Sequence, residues 1–246
     1  MHRYQILIEY LGTSFVGWQI QKKGNSIQKV IQLKLSKLLK QKIILHGSGR
    51  TDAGVHAIEQ SAHFDVKNKI KNINKLIKSL NFFLNKKMIS IINIKKKELN
   101  FHARHSAIER SYIYLIQNRI SPSTLNKDRE WHIRKKLDLN LIRKGAKKLI
   151  GTHDFSTFRS SNCNAKNPVR TINEIIITKS KNSIKFKFKS KSFLKNQVRS
   201  MVGCLKYLGE KKWNLNKFEE VIKKKDRKKV APPAPACGLY LEKITY

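Results

Sequence analysis

The chain has 246 residues, 40 % of them hydrophobic, and its 53 Lys and Arg against 16 Asp and Glu give a formal net charge of +37. No apolar run approaches the roughly 20 residues needed to span a bilayer, and residues 1–10 enter a strand-like pattern where a signal peptide would be apolar, so we expect a cytoplasmic protein without a membrane segment. Three widely spaced cysteines argue against a disulfide framework and against a zinc site built on cysteine pairs.

The first half of the chain alternates between strand and helix patterns. Residues 4–10 alternate apolar and polar side chains, which predicts a strand. Apolar residues recur at helical spacing over 27–39, with Ser26 or Asn25 as the candidate N-cap, which predicts a helix. In chain order we further predict a short strand at 43–45, a loop at 46–57, a strand at 61–66, a helix at 73–84, a strand at 89–94 and an extended segment at 101–105.

A second unit begins near residues 106–110 and repeats the order of strand and helix. In residues 183–190, three apolar side chains alternate with three lysines, which is typical of a half-buried antiparallel strand. In chain order we predict strands at 111–116, 175–178 and 183–190, helices at 139–150 and 194–208, a rigid loop with three prolines at 231–236 and a final strand at 239–246.

This order of elements predicts an α+β fold. We expect two α/β-type halves with mostly antiparallel sheets joined side by side, with helices on one face and a central cleft. The predicted domains are residues 1–105 and residues 106–246. Clefts between packed domains are common places for a functional site.

The positive charge has two explanations. Lysines and arginines that contact phosphates release counterions, so a basic protein binds nucleic acid without regard to sequence. However, only 12 of the 53 basic residues are Arg, and Ile and Asn are also abundant, which is the composition that an AT-rich genome produces. The positive sign of the charge therefore favours an RNA partner, whereas the magnitude of the charge is not evidence for one.

Residues 47–57, read G-S-G-R-T-D-A-G-V-H-A, form the most distinctive segment. A dinucleotide-binding fingerprint is excluded because Asp52 stands where its third glycine would be, and no Gly-Lys-Ser/Thr of a P-loop is present. Small residues allow a substrate to approach the backbone closely, and Arg50 can contact a phosphate or a base. The simplest alternative is an aspartate that orders its own turn.

Residues 47–57 closely resemble the signature loop of the tRNA pseudouridine synthase A family, in which the aspartate is the catalytic residue. Further segments resemble the same family in the same order along the whole chain. They are residues 10–19 (Y-L-G-T-S-F-V-G-W-Q), 103–114, 151–159, 193–203 and 231–241. The chain departs from the family pattern at two places. Ser48 stands where the loop commonly carries Ala, and residues 195–197 are Lys-Asn-Gln where the family often has His and Met.

The resemblance implies a pseudouridine synthase-like fold and isomerisation of uridine at positions 38, 39 and 40 of the tRNA anticodon stem-loop. It implies that Asp52 is catalytic, that Arg199 pairs with it and that Tyr112 stacks on the target base. Arg50 would hold the flipped nucleotide and Leu239 would wall the pocket. The resemblance further implies that this protein is a homodimer with tRNA lying across both subunits, and we expect no cofactor and no metal.

Several of these residues have simpler explanations. Tyr112 and Tyr114 are two residues apart on one strand face, and such a stripe usually belongs to the core. Arg199 can be a solvated helix residue. Four histidines, at 46, 56, 102 and 105, suggest a metal site, but ordinary hydrogen-bonding roles explain them better. At the level of function, the alternatives are a non-catalytic basic RNA-binding protein and a glycosidase, which normally needs two carboxylates.

Overall fold

The computed structural model describes residues 1–246 and contains five α-helices and ten strands. The helices are α1 (Ile27–Leu38), α2 (Ile73–Leu84), α3 (Leu139–Lys147), α4 (Gln197–Gly209) and α5 (Leu215–Lys223). The strands are β1 (His2–Tyr10), β2 (His46–Gly47), β3 (His56–Val66), β4 (Ile89–Lys97), β5 (Glu109–Asn118), β6 (Trp131–Ile133), β7 (Gly151–Asp154), β8 (Val169–Ser180), β9 (Ser183–Ser190) and β10 (Leu239–Thr245).

The chain divides into two compact units. The first is Met1–Arg110 together with Tyr240–Tyr246, and the second is Ser111–Leu239. No helix in either unit has the length and apolar character that crossing a membrane requires.

The first unit is built on strands in the order β4-β1-β3-β10. Strand β1 is antiparallel to both β3 and β4, β10 is parallel to β3, and the short β2 pairs with β3. Tyr4, Ile6 and Ile8 of β1 are at most 1 % exposed. Helices α1 and α2 supply the apolar stripes that cover this face, and each begins at a side-chain cap, Ser26 or Asn72.

The other face of this sheet is polar because the strand period is two. Along β1, Arg3 lies opposite Asp65 of β3, and Gln5 lies opposite His63. The Arg3 guanidinium donates two hydrogen bonds of 2.8 Å to the Asp65 carboxylate. This face therefore carries ion pairs and hydrogen bonds where the opposite face carries the core.

The second unit has strands in the order β5-β9-β8-β7, with β6 parallel to β5. Strands β8 and β9 form an antiparallel hairpin. Ile184, Phe186 and Phe188 of β9 are fully buried, which confirms the half-buried strand predicted from their alternation with lysines. Helix α4 supplies much of the core and packs beside α3 and α5.

The mixed α/β class and the mostly antiparallel pairing agree with the prediction from sequence. The sequence assigned residues 106–246 to one domain, but Tyr240–Tyr246 belong to the first unit because β10 pairs with β3, Tyr240 lying opposite His56. The proposed boundary near residue 105 stays a prediction.

Some local predictions were wrong. The short strand expected at 43–45 is instead β2, His46–Gly47, since its pairing with His63 and Ala62 fixes its position. The segment at 101–105 is a turn, in which the Ser106 N–H donates to the His102 carbonyl at 2.9 Å. Helix α5 and strands β6 and β7 were not predicted.

Candidate active site

The loop that follows β2 is held at its start by Gln60 of β3. The Ser48 hydroxyl donates to Gln60 Oε1 at 2.7 Å, and Gln60 Nε2 donates to the Gly49 carbonyl at 3.0 Å. Arg110 adds a hydrogen bond of 3.1 Å from its guanidinium to the Ser48 carbonyl. Ser48 and Gln60 are both buried, so these bonds form away from water and fix the start of the loop.

The middle of the loop is held at Thr51. The Tyr10 hydroxyl lies 2.8 Å from Thr51 Oγ1 in the buried interior, and the backbone N–H of Trp18 donates to the Thr51 carbonyl at 3.0 Å. Gly17 allows this approach, because a Cβ at that position would lie 2.6 Å from the Thr51 carbonyl oxygen. Gly17 also has a φ of +106°, which side-chain-bearing residues rarely adopt.

The end of the loop is closed by backbone bonds. The Val55 N–H donates to the Asp52 carbonyl at 3.1 Å, with Gly54 at a φ of +77°. Gly12 packs so closely on this turn that a Cβ there would lie 2.0 Å from the Val55 carbonyl oxygen. The Gly12 N–H in turn donates to His56 Nδ1 at 2.9 Å, which gives His56 an ordinary structural role.

The Asp52 side chain takes no part in these contacts. It is half-buried, and within its own unit the carboxylate accepts no hydrogen bond and joins no ion pair. The turn is closed by the Asp52 backbone carbonyl instead. Arg50, two residues earlier, is exposed. The simple explanation of an aspartate that orders its own turn therefore does not fit this geometry, because the loop is fixed without the carboxylate.

In the second unit, Arg199 lies in the first turn of α4 and is hydrogen-bonded to the proline-rich segment, residues 231–236. Its Nε donates to the Ala234 carbonyl at 2.7 Å, and the Ala234 N–H donates back to the Arg199 carbonyl at 2.9 Å. Gly203, one turn further along α4, permits this packing, because a Cβ there would lie 2.2 Å from the Pro232 carbonyl oxygen. Arg199 is thus a positioned residue and not a freely solvated one.

The two tyrosines of β5 have different surroundings. Tyr114 is fully buried and its hydroxyl donates to the Pro235 carbonyl at 2.8 Å, and burial raises its pKa well above the ordinary range. Tyr112 is only half-buried and meets the Phe193 ring edge-to-face, with ring centroids 5.2 Å apart. The core explanation of the alternating tyrosines therefore holds for Tyr114 and is incomplete for Tyr112.

The chain matches a family model described as tRNA pseudouridine synthase over residues 6–106 and 146–246. The chain belongs to the tRNA pseudouridine synthase family. A relative from Pelagibacter ubique named tRNA pseudouridine synthase A is 64 % identical over 246 residues, the full length of both chains. Relatives of the same name are 43 % identical in Neorickettsia sennetsu, over 99 % of this chain and 100 % of theirs, and 41 % identical in Paramagnetospirillum magneticum, over 100 % and 96 %.

Pseudouridine synthases are isomerases, so this chain is an enzyme. In this synthase, Arg50 and Asp52 lie on one fixed loop of the first unit. Tyr112, Arg199 and Leu239 lie in the second unit, where Leu239 is buried at the start of β10. The predicted pairing of Arg199 with Asp52 stays a prediction.

Sequence patterns did not identify the residues that fix the loop. Tyr10 follows Tyr4, Ile6 and Ile8 at every second position, so it has the pattern of an ordinary core residue of β1. Gln60 precedes the predicted strand 61–66 and carries no motif of its own. The burial of Gln60, which is uncommon for a polar side chain, is known only from the fold, so the sequence gives no signal of its role.

Proposed function

We propose that this enzyme converts uridine to pseudouridine in tRNA and that Asp52 is its single catalytic carboxylate. One observation supports this most strongly: three sets of hydrogen bonds hold the loop, at Ser48, at Thr51 and at Val55, and none of them uses the Asp52 side chain. A carboxylate that is held in place but left out of the structural bonding is available to react. Catalytic groups are generally held in position before the substrate binds, and the fixed loop does this for Asp52.

The isomerisation breaks the bond from uracil N1 to ribose C1′ and makes a bond from uracil C5 to C1′. The base turns between the two steps, C5 loses its hydrogen and N1 gains one, so atoms and electrons balance. Three routes use the carboxylate differently: attack on C1′, attack on C6, or removal of a ribose proton to give a glycal. All three begin with Asp52 in its ionised form, and all three are compatible with this loop.

Arg199 supplies a positive charge that pairs with the Asp52 carboxylate. A guanidinium stays charged under all ordinary conditions and can bind a carboxylate through two N–H groups, so it is a suitable partner. Its Nε is held by Ala234 and its Nη1 donates to Asn196 Oδ1 at 3.3 Å. The remaining Nη2 has no partner within the second unit, so it is free to donate to a carboxylate.

The remaining residues act on the target nucleotide. The half-buried Tyr112, steadied by Phe193, stacks on the uracil, and the exposed Arg50 contacts a phosphate of the flipped nucleotide. Flipping a base costs a few kcal/mol in pairing and stacking, which such contacts offset. Leu239 forms an apolar wall of the pocket.

We further propose that the targets are positions 38, 39 and 40 of the anticodon stem-loop, in cytoplasmic tRNA. A homodimer binds one tRNA across both subunits. Light scattering of the purified protein, alone and with tRNA, measures the mass of each species. Twice the chain mass is expected for the protein component in both cases, and a monomer that turns over tRNA would refute the dimer.

Tritium release tests the reaction directly. Purified protein incubated with tRNA carrying tritium at uridine C5 should release the label to water without loss of the base. Asp52→Asn should abolish release while leaving tRNA affinity within about twofold, and Glu59→Gln, a half-buried acid on β3, serves as the matched control. Free uracil in the products would indicate a glycosidase. Binding without release by the unaltered protein would indicate a non-catalytic RNA-binding protein.

A further inference from the structure

Four histidine rings cluster on the polar face of the first unit. His46 of β2 stacks on His63 of β3 with centroids 4.9 Å apart. His102 lies 4.7 Å from His63, and His105 lies 4.4 Å from His102. His46 and His105 are exposed, His102 is half-buried and His63 is buried. The proposed chemistry at Asp52 uses none of them.

Backbone bonds fix the orientation of the two inner rings. The N–H groups of Arg104 and His105 donate to His102 Nδ1 at 3.1 and 3.3 Å, and the Ala103 N–H donates to His63 Nδ1 at 3.1 Å. A nitrogen that accepts a hydrogen bond carries no proton, so each neutral ring holds its proton on Nε2. The rings are therefore uncharged hydrogen-bond donors whose direction is set by the turn.

The charges near the cluster are predominantly positive. Arg3, Arg104 and the neighbouring histidines act on these rings, and Asp65 is the one carboxylate among them. Asp65 is already paired with Arg3 through two bonds. Burial is the largest cause that lowers the pKa of His102, followed by the neighbouring histidines and by Arg3 and Arg104. Burial, Arg3 and the neighbouring histidines lower the pKa of His63 to about 4. The cluster thus lies in a field that favours an anion.

Arg104 is the residue that gives the cluster its permanent charge. It is exposed, and its guanidinium forms neither an ion pair nor a hydrogen bond. Its backbone carbonyl accepts a bond of 2.9 Å from the Arg110 guanidinium, which also donates to the Ser48 carbonyl at 3.1 Å. Arg110 therefore links the turn that contains His102 and Arg104 to the start of the loop that carries Asp52.

We infer that the exposed side chains of His46, Arg104 and His105, arranged around His102, contact the phosphodiester backbone of the substrate RNA beside the target nucleotide. Histidine N–H groups and an unpaired guanidinium are donors that phosphate oxygens accept. The bridge through Arg110 keeps this surface in register with the loop that carries Asp52. The choice of RNA as the ligand rests on the function proposed above.

Binding measurements on an inactive protein test this surface separately from catalysis. In an Asp52→Asn background, the triple variant His46→Gln, Arg104→Gln, His105→Gln should bind tRNA with a Kd about three- to tenfold higher at about 0.1 M salt. Because Arg104 is the one cation that the triple variant removes, the slope of log Kd against log salt should fall by about 0.7. His102 is left unchanged because its Nδ1 holds the turn.

A matched control removes one charge elsewhere. Lys78→Gln alters an exposed lysine of α2, on the helix-covered side of the same sheet, and should leave both Kd and slope nearly unchanged. Equal weakening in the control and the triple variant, or no weakening in the triple variant, would overturn the inference. With Asp52 restored, the triple variant should show a raised KM and a normal kcat for tritium release. A protein that binds tRNA through this surface but releases no tritium would leave the inference standing and refute the proposed reaction.

Discussion

Arg199 and Ala234 are joined by two hydrogen bonds that run in opposite directions, although 35 residues separate them. The Arg199 side chain donates to the Ala234 carbonyl, and the Ala234 N–H donates to the Arg199 carbonyl. A guanidinium is planar, so fixing Nε fixes the direction of the two outer nitrogens as well. The proline-rich segment therefore sets where the charge of Arg199 points.

Arg199→Lys tests this orientation. Lysine keeps the charge but lacks the Nε donor and the planar fork, so we expect kcat to fall roughly 30- to 100-fold, the equivalent of about 2–3 kcal/mol for a bond to a charged group. Tritium release under saturating tRNA measures kcat. Arg143→Lys, at an exposed arginine of α3 that donates to the Ile177 carbonyl, is the control and should keep normal activity. A normal kcat for Arg199→Lys would mean that charge alone suffices.

Tyr10→Phe removes the hydroxyl that holds Thr51, next to Asp52. We expect kcat to fall about tenfold with little change in KM, because a displaced catalytic group slows the chemical step. Tyr4→Phe is a matched control on the same strand, since its hydroxyl accepts a bond from the Ile70 N–H. Both variants should lose about 1 kcal/mol of unfolding free energy in urea denaturation. If kcat falls equally in both, the effect is one of general stability and not of loop position.

Gly17→Ala should displace the loop. The new Cβ would lie 2.6 Å from the Thr51 carbonyl oxygen, so either the loop or the segment after β1 must shift, and activity should drop at least about tenfold. Gly151→Ala is the control, because Gly151 has nearly the same φ, +104°, but its nearest neighbouring atom would be 3.5 Å away. Both should lose about 1–3 kcal/mol of stability from backbone strain. Full activity in Gly17→Ala would show that the loop tolerates displacement.

The buried His63 makes stability depend on pH. Its pKa is about 4 in the folded protein, lowered first by burial, while an unfolded histidine titrates near 6.5. Between these values the unfolded chain binds a proton that the folded chain does not, so the unfolding free energy falls as the pH falls through this window. Urea denaturation at about pH 7.5, 6.5 and 5.5 should show this, with a contribution of up to about 1.4 kcal/mol per pH unit. His63→Gln should lose that contribution, and an unchanged pH slope in the variant would contradict the assignment.

Elements with a strong local pattern were predictable from sequence. Residues 73–84 match α2 and residues 183–190 match β9 end for end, because an amphipathic period and a clear cap or turn define each one. Helix α5 was not predictable, since only Phe218 and Val221 are buried among its polar residues. Its apolar stripe is too short to stand out from a lysine-rich background.

Features fixed by distant contacts were not predictable. Residues 101–105 were expected to be extended, yet they form a turn, and its Ala103 N–H donates to Nδ1 of the distant His63 on β3 at 3.1 Å. The same limit applies to the candidate site. The loop around Asp52 could be found by resemblance, whereas the bonds to it from Gln60 and Tyr10 depend on the folded sheet.

The second unit, Ser111–Leu239, is an insertion within the first, whose last strand is supplied by Tyr240–Tyr246. A chain emerging from the ribosome therefore finishes the inserted unit before the unit in which it began, contrary to the usual order of N-terminal folding first. Tyr240–Tyr246 join the first unit after the inserted unit, and the Tyr246 hydroxyl then donates to the Ala103 carbonyl at 2.8 Å. The unit that carries Asp52 gains the pairing of β10 with β3 only after residues 240–246 have left the ribosome. A nascent chain in which those residues are still enclosed is therefore expected to be inactive on RNA.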